Sequence, residues 1–353
     1  MISVKSVAGM VAVALAVAVA PAAATTYTVT YLGFGCANAI NSTGQVVGEF
    51  PYAQSAHAFL YSNGTMTDLG TLAGGDGSIA TGINDSGQVV GSSSIGGYDH
   101  AFLYSNGTMT DLNTLTGGSY SKAYGINNSG QVVGMTHPSA GGYHAFLYSN
   151  GTMTDLNILM GGSGSKAYAI NESGQVVGYF TPPAVAGEHA FLYSNGTTTD
   201  LGTMQGGYGS QANSINDSGQ VVGFSYIPGG EHGGQHAFLY SNGTMTDLGT
   251  LPDMEYSIAT GINDSGQVVG YAYPNNGPSH AFLYSNGTMT DLDTLMGRYN
   301  SRAYGINDDG QIVGADNMGA FLLTPIPEPA TLSLLALGGA ALLRRKRASE
   351  GKR

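Results

Sequence analysis

Cys36 is the sole cysteine among 353 residues. No internal disulfide can form, so the fold must close by packing and hydrogen bonding alone. Charge is almost as scarce, at 10% of residues. Cations nearly vanish between the two ends of the chain. Lys5, Arg344, Arg345, Lys346, Arg347, Lys352 and Arg353 belong to the ends, and only Lys122, Lys166, Arg298 and Arg302 stand between them. Against 21 acids in that same stretch they leave a net charge of −17. Such a surface repels phosphate backbones, which excludes nucleic acid as a partner. Motifs of catalysis are missing as well. There is no Gly-x-Ser-x-Gly elbow, no Cys/His pair and no paired-carboxylate motif, so no catalytic residue, cofactor or metal is assigned.

Apolar runs occur at 7–20 and 330–343, each 14 residues long, short of the ~20 residues that a stable membrane span needs. The first follows Lys5 and ends in Ala22-Ala23-Ala24, the pattern of a cleaved signal peptide. Residues 1–24 are therefore expected to be removed after Ala24. The second follows Pro327-Glu328-Pro329 and precedes Arg344-Arg345-Lys346-Arg347. This segment, 326–353, resembles the PEP-CTERM sorting signal of Gram-negative bacteria: a Pro-Glu-Pro box, a hydrophobic helix and a basic tail. The resemblance implies export, transient anchoring in the inner membrane, and handling by exosortase-type sorting machinery, ending at the cell surface or outside the cell. The basic cluster acts as a stop on the cytoplasmic side.

What is abundant is glycine, 56 residues of it, and above all repetition. Ile-Asn-x-x-Gly-Gln-[Val/Ile]-Val-Gly occurs seven times, with its Asn at 41, 84, 127, 171, 216, 263 and 307. His-Ala-Phe-Leu-Tyr-Ser-Asn-Gly-Thr-x-Thr-Asp-Leu begins at His57, His100, His144, His189, His236 and His280, with a truncated copy at Ala320-Phe321-Leu322-Leu323. These phrases resemble the HAF-repeat family of extracellular proteins, which implies an exported repeat protein but no particular reaction. A period near 43–47 residues is that of a propeller blade. In the second copy, strands are expected at 78–83, 88–92, 100–105 and 108–112. Asn-Asp-Ser-Gly would turn the first pair and Asn-Gly the last. Ala-Phe-Leu-Tyr is apolar on both faces of its strand, as a sheet stacked between two others requires.

The last copy lacks a fourth strand, and the Thr-rich segment at 26–33 precedes the first copy. The expected fold class is thus all-β: residues 25–325 form a seven-bladed β-propeller closed by the N-terminal strand, between the signal segment and the C-terminal hydrophobic helix. An open solenoid is the alternative. The chain is expected to be monomeric.

Six histidines at equivalent positions suggest metal, but on the third strand out they would diverge around the ring; a local bond to an acid such as the repeat Asp fits better. The Asn-Asp-Ser-Gly turns supply too few carboxylates for a calcium loop. Function is sought where the repeats differ. The connections between second and third strands vary from 8 to 12 residues. They and their neighbours carry Tyr52, Tyr98, Tyr143, Tyr226 and Tyr273. Lys122, Lys166 and Arg302 open innermost strands on the same face, with Arg298 nearby. Together these nine are the candidate ligand-binding residues, an aromatic and cationic mouth for a glycan or another extracellular polysaccharide. The favoured reading is a non-catalytic binding scaffold on the cell surface or in the matrix. The alternative is a polysaccharide-acting hydrolase or lyase at the channel mouth. Loops that merely drifted would look the same.

Overall fold

The turn residues of each copy explain its local structure. Asn63, Asn106, Asn150, Asn195, Asn242 and Asn286 lie at φ +50 to +51°, each followed by a positive-φ glycine. This is the two-residue geometry that joins the third and fourth strands. The other turn is closed by the backbone. The Asn84 N–H donates to the Gln88 carbonyl at 3.1 Å and the Gly87 N–H to the Asn84 carbonyl at 3.0 Å.

The computed structural model describes residues 26–112, 119–138, 141–183, 187–228 and 234–326. The signal segment with Ala24, and the sorting segment with Pro327, Glu328, Pro329, Arg344, Arg345, Lys346 and Arg347 and its expected helix, lie outside the described residues. Among those described are 28 strands and two short helices, Asn157–Met160 and Leu292–Met296; none is long and apolar enough to cross a membrane.

The strands form five four-stranded sheets and one of eight, itself two four-stranded halves joined by a single parallel pairing of Gln235 with Tyr256. The first sheet is Cys36–Ile40, Val46–Tyr52, Ser55–Ser62 and Thr65–Gly70 in spatial order. The last takes Arg302–Ile306, Ile312–Asp316 and Gly319–Pro325 from the chain's end, and its fourth strand, Tyr27–Gly33, from the start. That antiparallel pairing sets Tyr27 against Pro325, Val29 against Leu323 and Tyr31 against Phe321. The chain is all-β and its arrangement propeller-like.

Packing between sheets follows the repeat. The phenylalanine of each His-Ala-Phe phrase, and Phe321 in the truncated copy, is at most 1% exposed. Each anchors a cluster drawn from two adjacent sheets, as Phe102 does with Val47, Ala58 and Ile83. Burying such a ring contributes about 1.5–3 kcal/mol. One cluster joins the chain's two ends, with Leu32, Ala37, Val46 and Phe59 against Val313, Ala320 and Leu322.

The innermost strands carry a second, polar seam. The Asn41 side-chain amide donates to the Asn84 carbonyl at 3.0 Å, Asn84 to Asn127 at 3.1 Å and Asn127 to Asn171 at 3.1 Å. Asn171, Asn216 and Asn263 continue in the same way, and Asn307 donates back to the Asn41 carbonyl at 3.0 Å.

Each innermost strand is also irregular at one equivalent place. The register shifts between Ala37 and Ala39, Ala80 and Gly82, Ala123 and Gly125, Ala167 and Ala169, Ala212 and Ser214, Ala259 and Gly261, and Ala303 and Gly305. The extra residue is a β-bulge. It accounts for the glycine that ends each Val-Val-Gly: a Cβ on Gly178 would overlap the Lys166 carbonyl oxygen, and one on Gly223 that of Gln211.

Candidate functional site

The bulged residues are Asn38, Thr81, Tyr124, Tyr168, Asn213, Thr260 and Tyr304, one per copy. A cavity of about 410 Å³ is lined by all seven, together with Gln211, Phe224, Ile258 and Tyr271. A narrower cavity of about 220 Å³ continues below it, lined by the small residues and isoleucines that follow the bulge. At the far end, turn residues including Asp85, Glu172, Asp217, Asp264 and Asp308 surround a further opening.

The seven bulge side chains divide into two kinds. Four of them bridge to the next copy. Asn38 donates to the Ala80 carbonyl at 2.9 Å, Thr81 to Ala123 at 2.8 Å, Asn213 to Ala259 at 2.7 Å and Thr260 to Ala303 at 2.8 Å. The three tyrosines are too long for that bond. Among the described residues the hydroxyls of Tyr124, Tyr168 and Tyr304 have no hydrogen-bond partner, and none is sealed off as a buried unsatisfied atom. Burial raises all three above the ordinary phenol value, Tyr124 and Tyr304 to about 12. They are therefore protonated donors at any physiological pH. Tyr124 and Tyr168 lie with ring centroids 5.1 Å apart, and Tyr168 is 6.1 Å from Tyr179.

The predicted cations fall into three situations. Lys122 is neutralised by Asp99, Nζ to Oδ2 2.9 Å. Lys166 and Arg302 pair with no carboxylate among the described residues. The Lys166 ammonium lies 5.0 Å from the Tyr143 ring centre and 5.6 Å from that of Tyr179, and burial lowers its pKa. The Arg302 guanidinium lies 4.7 Å from the Tyr271 ring centre. Arg298 is drawn outward instead. Its Nε donates to the Tyr31 hydroxyl at 2.8 Å, on the outermost strand, because that phenol, itself bonded to Asp316, offers an acceptor there.

The predicted tyrosines also separate. Tyr143 stands beside Lys166. Tyr226 stacks on Tyr208 at 4.5 Å and Tyr273 on Tyr256 at 4.9 Å, forming two aromatic platforms on the mouth side. Tyr52 and Tyr98 are not brought to the channel. The connections that carry them are β-hairpins, with Tyr52 opposite Ser55 and Ile95 opposite Tyr98. Tyr52 stacks on His57 at 3.9 Å, and Tyr98 is 54% exposed. The channel tyrosines themselves escaped the sequence reading. Their signal is the third-last position of Ala-x-[Gly/Ala/Ser]-Ile, which ranges over Asn, Thr and Tyr between a constant Ala and a small residue.

An acid beside the channel bonds one of the bulge side chains. Glu49 accepts from the Asn38 amide at 2.8 Å, and burial raises its pKa despite that bond and one from Cys36. The Cys36 thiol is in turn pushed up to about 11, by burial first and then by Glu49. The repeat histidines are local, as expected: each Nδ1 meets the Asp eleven residues on, at 2.7 Å for His144 and Asp155 and 3.0 Å for His57 and Asp68. Among the described residues no group of three His, Cys, Asp or Glu side chains could hold a metal ion.

Comparison with known proteins adds the following. A family model described as "Protein of unknown function (DUF3466)" matches residues 74–161 and 119–203, and the PEP-CTERM protein-sorting motif matches 325–347. That motif marks the chain for export, for sorting to the cell envelope and for recognition by exosortase machinery. No curated protein matches the chain. A streptogramin B lyase structure is similar at TM-score 0.53 and 12% identity, over 85% of this chain and 98% of that one. TolB from Acinetobacter baumannii is similar at TM-score 0.49 and 10% identity over 81% of this chain, which spans only 64% of TolB's length. The β-propeller domain of the trilobed protease from Pyrococcus furiosus is similar at TM-score 0.47 and 10% identity, over 72% and 82% of the two chains. At such identities the likeness concerns the fold alone.

Proposed function

We propose that this chain is an exported, HAF-type, seven-bladed β-propeller, closed by its N-terminal strand, that serves as a non-catalytic glycan-binding scaffold. It is held transiently at the inner membrane by its C-terminal segment and then delivered to the cell surface or the extracellular matrix. The closed form is supported by the pairing of Tyr27–Gly33 with Gly319–Pro325 and by the asparagine bonds that run from Asn41 through Asn307 and back. The observation that carries the binding reading is the tyrosine set at the bulges. Where Asn or Thr ties one copy to the next, Tyr124, Tyr168 and Tyr304 give up that bond and offer aromatic faces and free hydroxyls to the channel. Aromatic rings pack against the C–H faces of sugars, and hydroxyl and amide groups such as Gln211 meet sugar oxygens. Lys166 and Arg302 at the same mouth extend the range to acidic sugars.

The test is a glycan-array screen followed by titration of the best ligand. Tyr168→Ala and Tyr304→Ala should each weaken binding about tenfold, about 1.4 kcal/mol, while Tyr98→Ala leaves it unchanged. No binding to any glycan, or equal affinities for all three variants, refutes the proposal.

One observation favours a second reading, a polysaccharide-acting hydrolase or lyase. Glu49, with its raised pKa beside the channel, has the character of a general acid. Polysaccharide cleavage lost in Glu49→Gln, with binding retained, would establish it.

A further inference from the structure

Both described ends of the chain leave from one face. The Ile326 N–H donates to the Thr26 carbonyl at 2.8 Å. A Cβ built on Gly310, in the turn Asn307-Asp308-Asp309-Gly310, would sit 3.4 Å from the Pro325 ring. The last strand therefore ends beside the asparagine-ring turns, at the opposite end of the innermost strands from the tyrosine-lined mouth. This face is acidic. Asp85 accepts the Ser42 N–H at 3.0 Å, Asp217 the Glu172 N–H at 2.9 Å, Asp264 the Asp217 N–H at 2.8 Å and Asp308 the Asp264 N–H at 2.9 Å.

The sorting motif begins at this exit, and the apolar run starts only four residues beyond Ile326, at Ala330. Even fully extended, four residues reach roughly 14 Å. We infer that while the chain is anchored the acidic turn face is held against the membrane and the tyrosine mouth points away from it. The inference rests on the proposed anchoring but not on what the mouth binds. A tether that short cannot carry the molecule over onto its other face. An innermost strand of five to seven residues, as in Cys36–Ile40 and Tyr120–Ile126, at ~3.3 Å per residue, sets the mouth roughly 20 Å beyond the turn face. The chain thus fixes the direction of presentation by where its last strand ends.

The test uses the full mature chain, with its sorting segment, in phosphatidylcholine vesicles containing a headgroup-nitroxide lipid. In a Cys36→Ala background, a fluorophore is attached at Ser86→Cys on the turn face or at Tyr98→Cys on the mouth side. The Ser86 label should lose most of its emission and the Tyr98 label should keep most of its own. Inserting a 20-residue Gly/Ser linker between Ile326 and Pro327 should abolish the contrast. Equal loss at the two sites, a reversed order, or a contrast that survives the linker unchanged overturns the inference. If the chain does not float with the vesicles, the anchoring reading falls and takes this inference with it, while glycan binding stands or falls by its own titration.

Discussion

A single asparagine per copy makes bonds in three directions. Asn84 is 3% exposed. Its amide nitrogen donates to the Asn127 carbonyl at 3.1 Å and to Gln88 Oε1 at 2.8 Å, and its oxygen accepts the Gln88 N–H at 2.9 Å. No other side chain of that size presents two donors and an acceptor in this arrangement. This explains why the motif keeps Asn where the neighbouring turn residue changes among Ser, Asp, Asn and Glu. Replacing Asn84 by Ala leaves the half-buried Gln88 N–H without its acceptor and the buried Asn127 carbonyl with only the Gly130 N–H. Each such loss costs about 1–3 kcal/mol, so Asn84→Ala should lower unfolding free energy by roughly 3 kcal/mol, read as a shift in the urea midpoint. Asn84→Asp keeps the acceptor but removes both donors and should fall at least as far. A midpoint unchanged in both variants would mean that the ring of asparagines contributes nothing to holding the copies together.

The innermost strand decides both stability and site, through its bulge. Without the extra residue, strict alternation would place the variable position on a face set by its neighbours; with it, that side chain is turned into the channel. The price at the facing strand is glycine. Gly178→Ala should drive a methyl into the Lys166 carbonyl and destabilise the fold by at least about 1–3 kcal/mol, whereas Gly151→Ala, with open space around its Cβ, meets only the strain of φ +79°. Comparing the two melting curves separates steric overlap from backbone strain: equal losses would argue against the bulge as the reason for the glycine. This irregularity is also why the site was only partly legible. The turns, the four-strand unit and the His–Asp bond could be read from Asn-Gly, from the period and from the recurring spacing. Lys166 and Arg302 were found because cations are so rare. A bulge, however, leaves no mark in Ala-Tyr-Ala-Ile that distinguishes it from a regular strand. Tyr124, Tyr168 and Tyr304 therefore drew no notice, while Tyr52 and Tyr98 were placed at the mouth because a short hairpin and a loop share one composition.

At the scale of the whole molecule, stability depends on a strand that the chain supplies first and uses last. Tyr27–Gly33 covers the edge of Gly319–Pro325, places Tyr27 and Val29 against the cluster of Leu323 and Phe321, and adds Leu32 to the cluster joining the first and last sheets. The first copy is made before the last, so this contact has the longest possible loop between its partners and forms late. The cut expected after Ala24 would leave these residues intact. Deleting residues 26–33 should remove roughly 3–6 kcal/mol, the burial of two or three large side chains, and expose an unpaired edge that recruits a second molecule. Sedimentation should then show association that grows with concentration, and the thermal midpoint should drop. A synthetic peptide of residues 26–33, added in excess, should restore both, because the edge it fills is specific in register. A dispensable tail would behave otherwise: the truncated chain would melt and sediment as the intact one does. Restoration by the peptide, and not by a scrambled one, is the outcome that only a strand completing the last sheet can give.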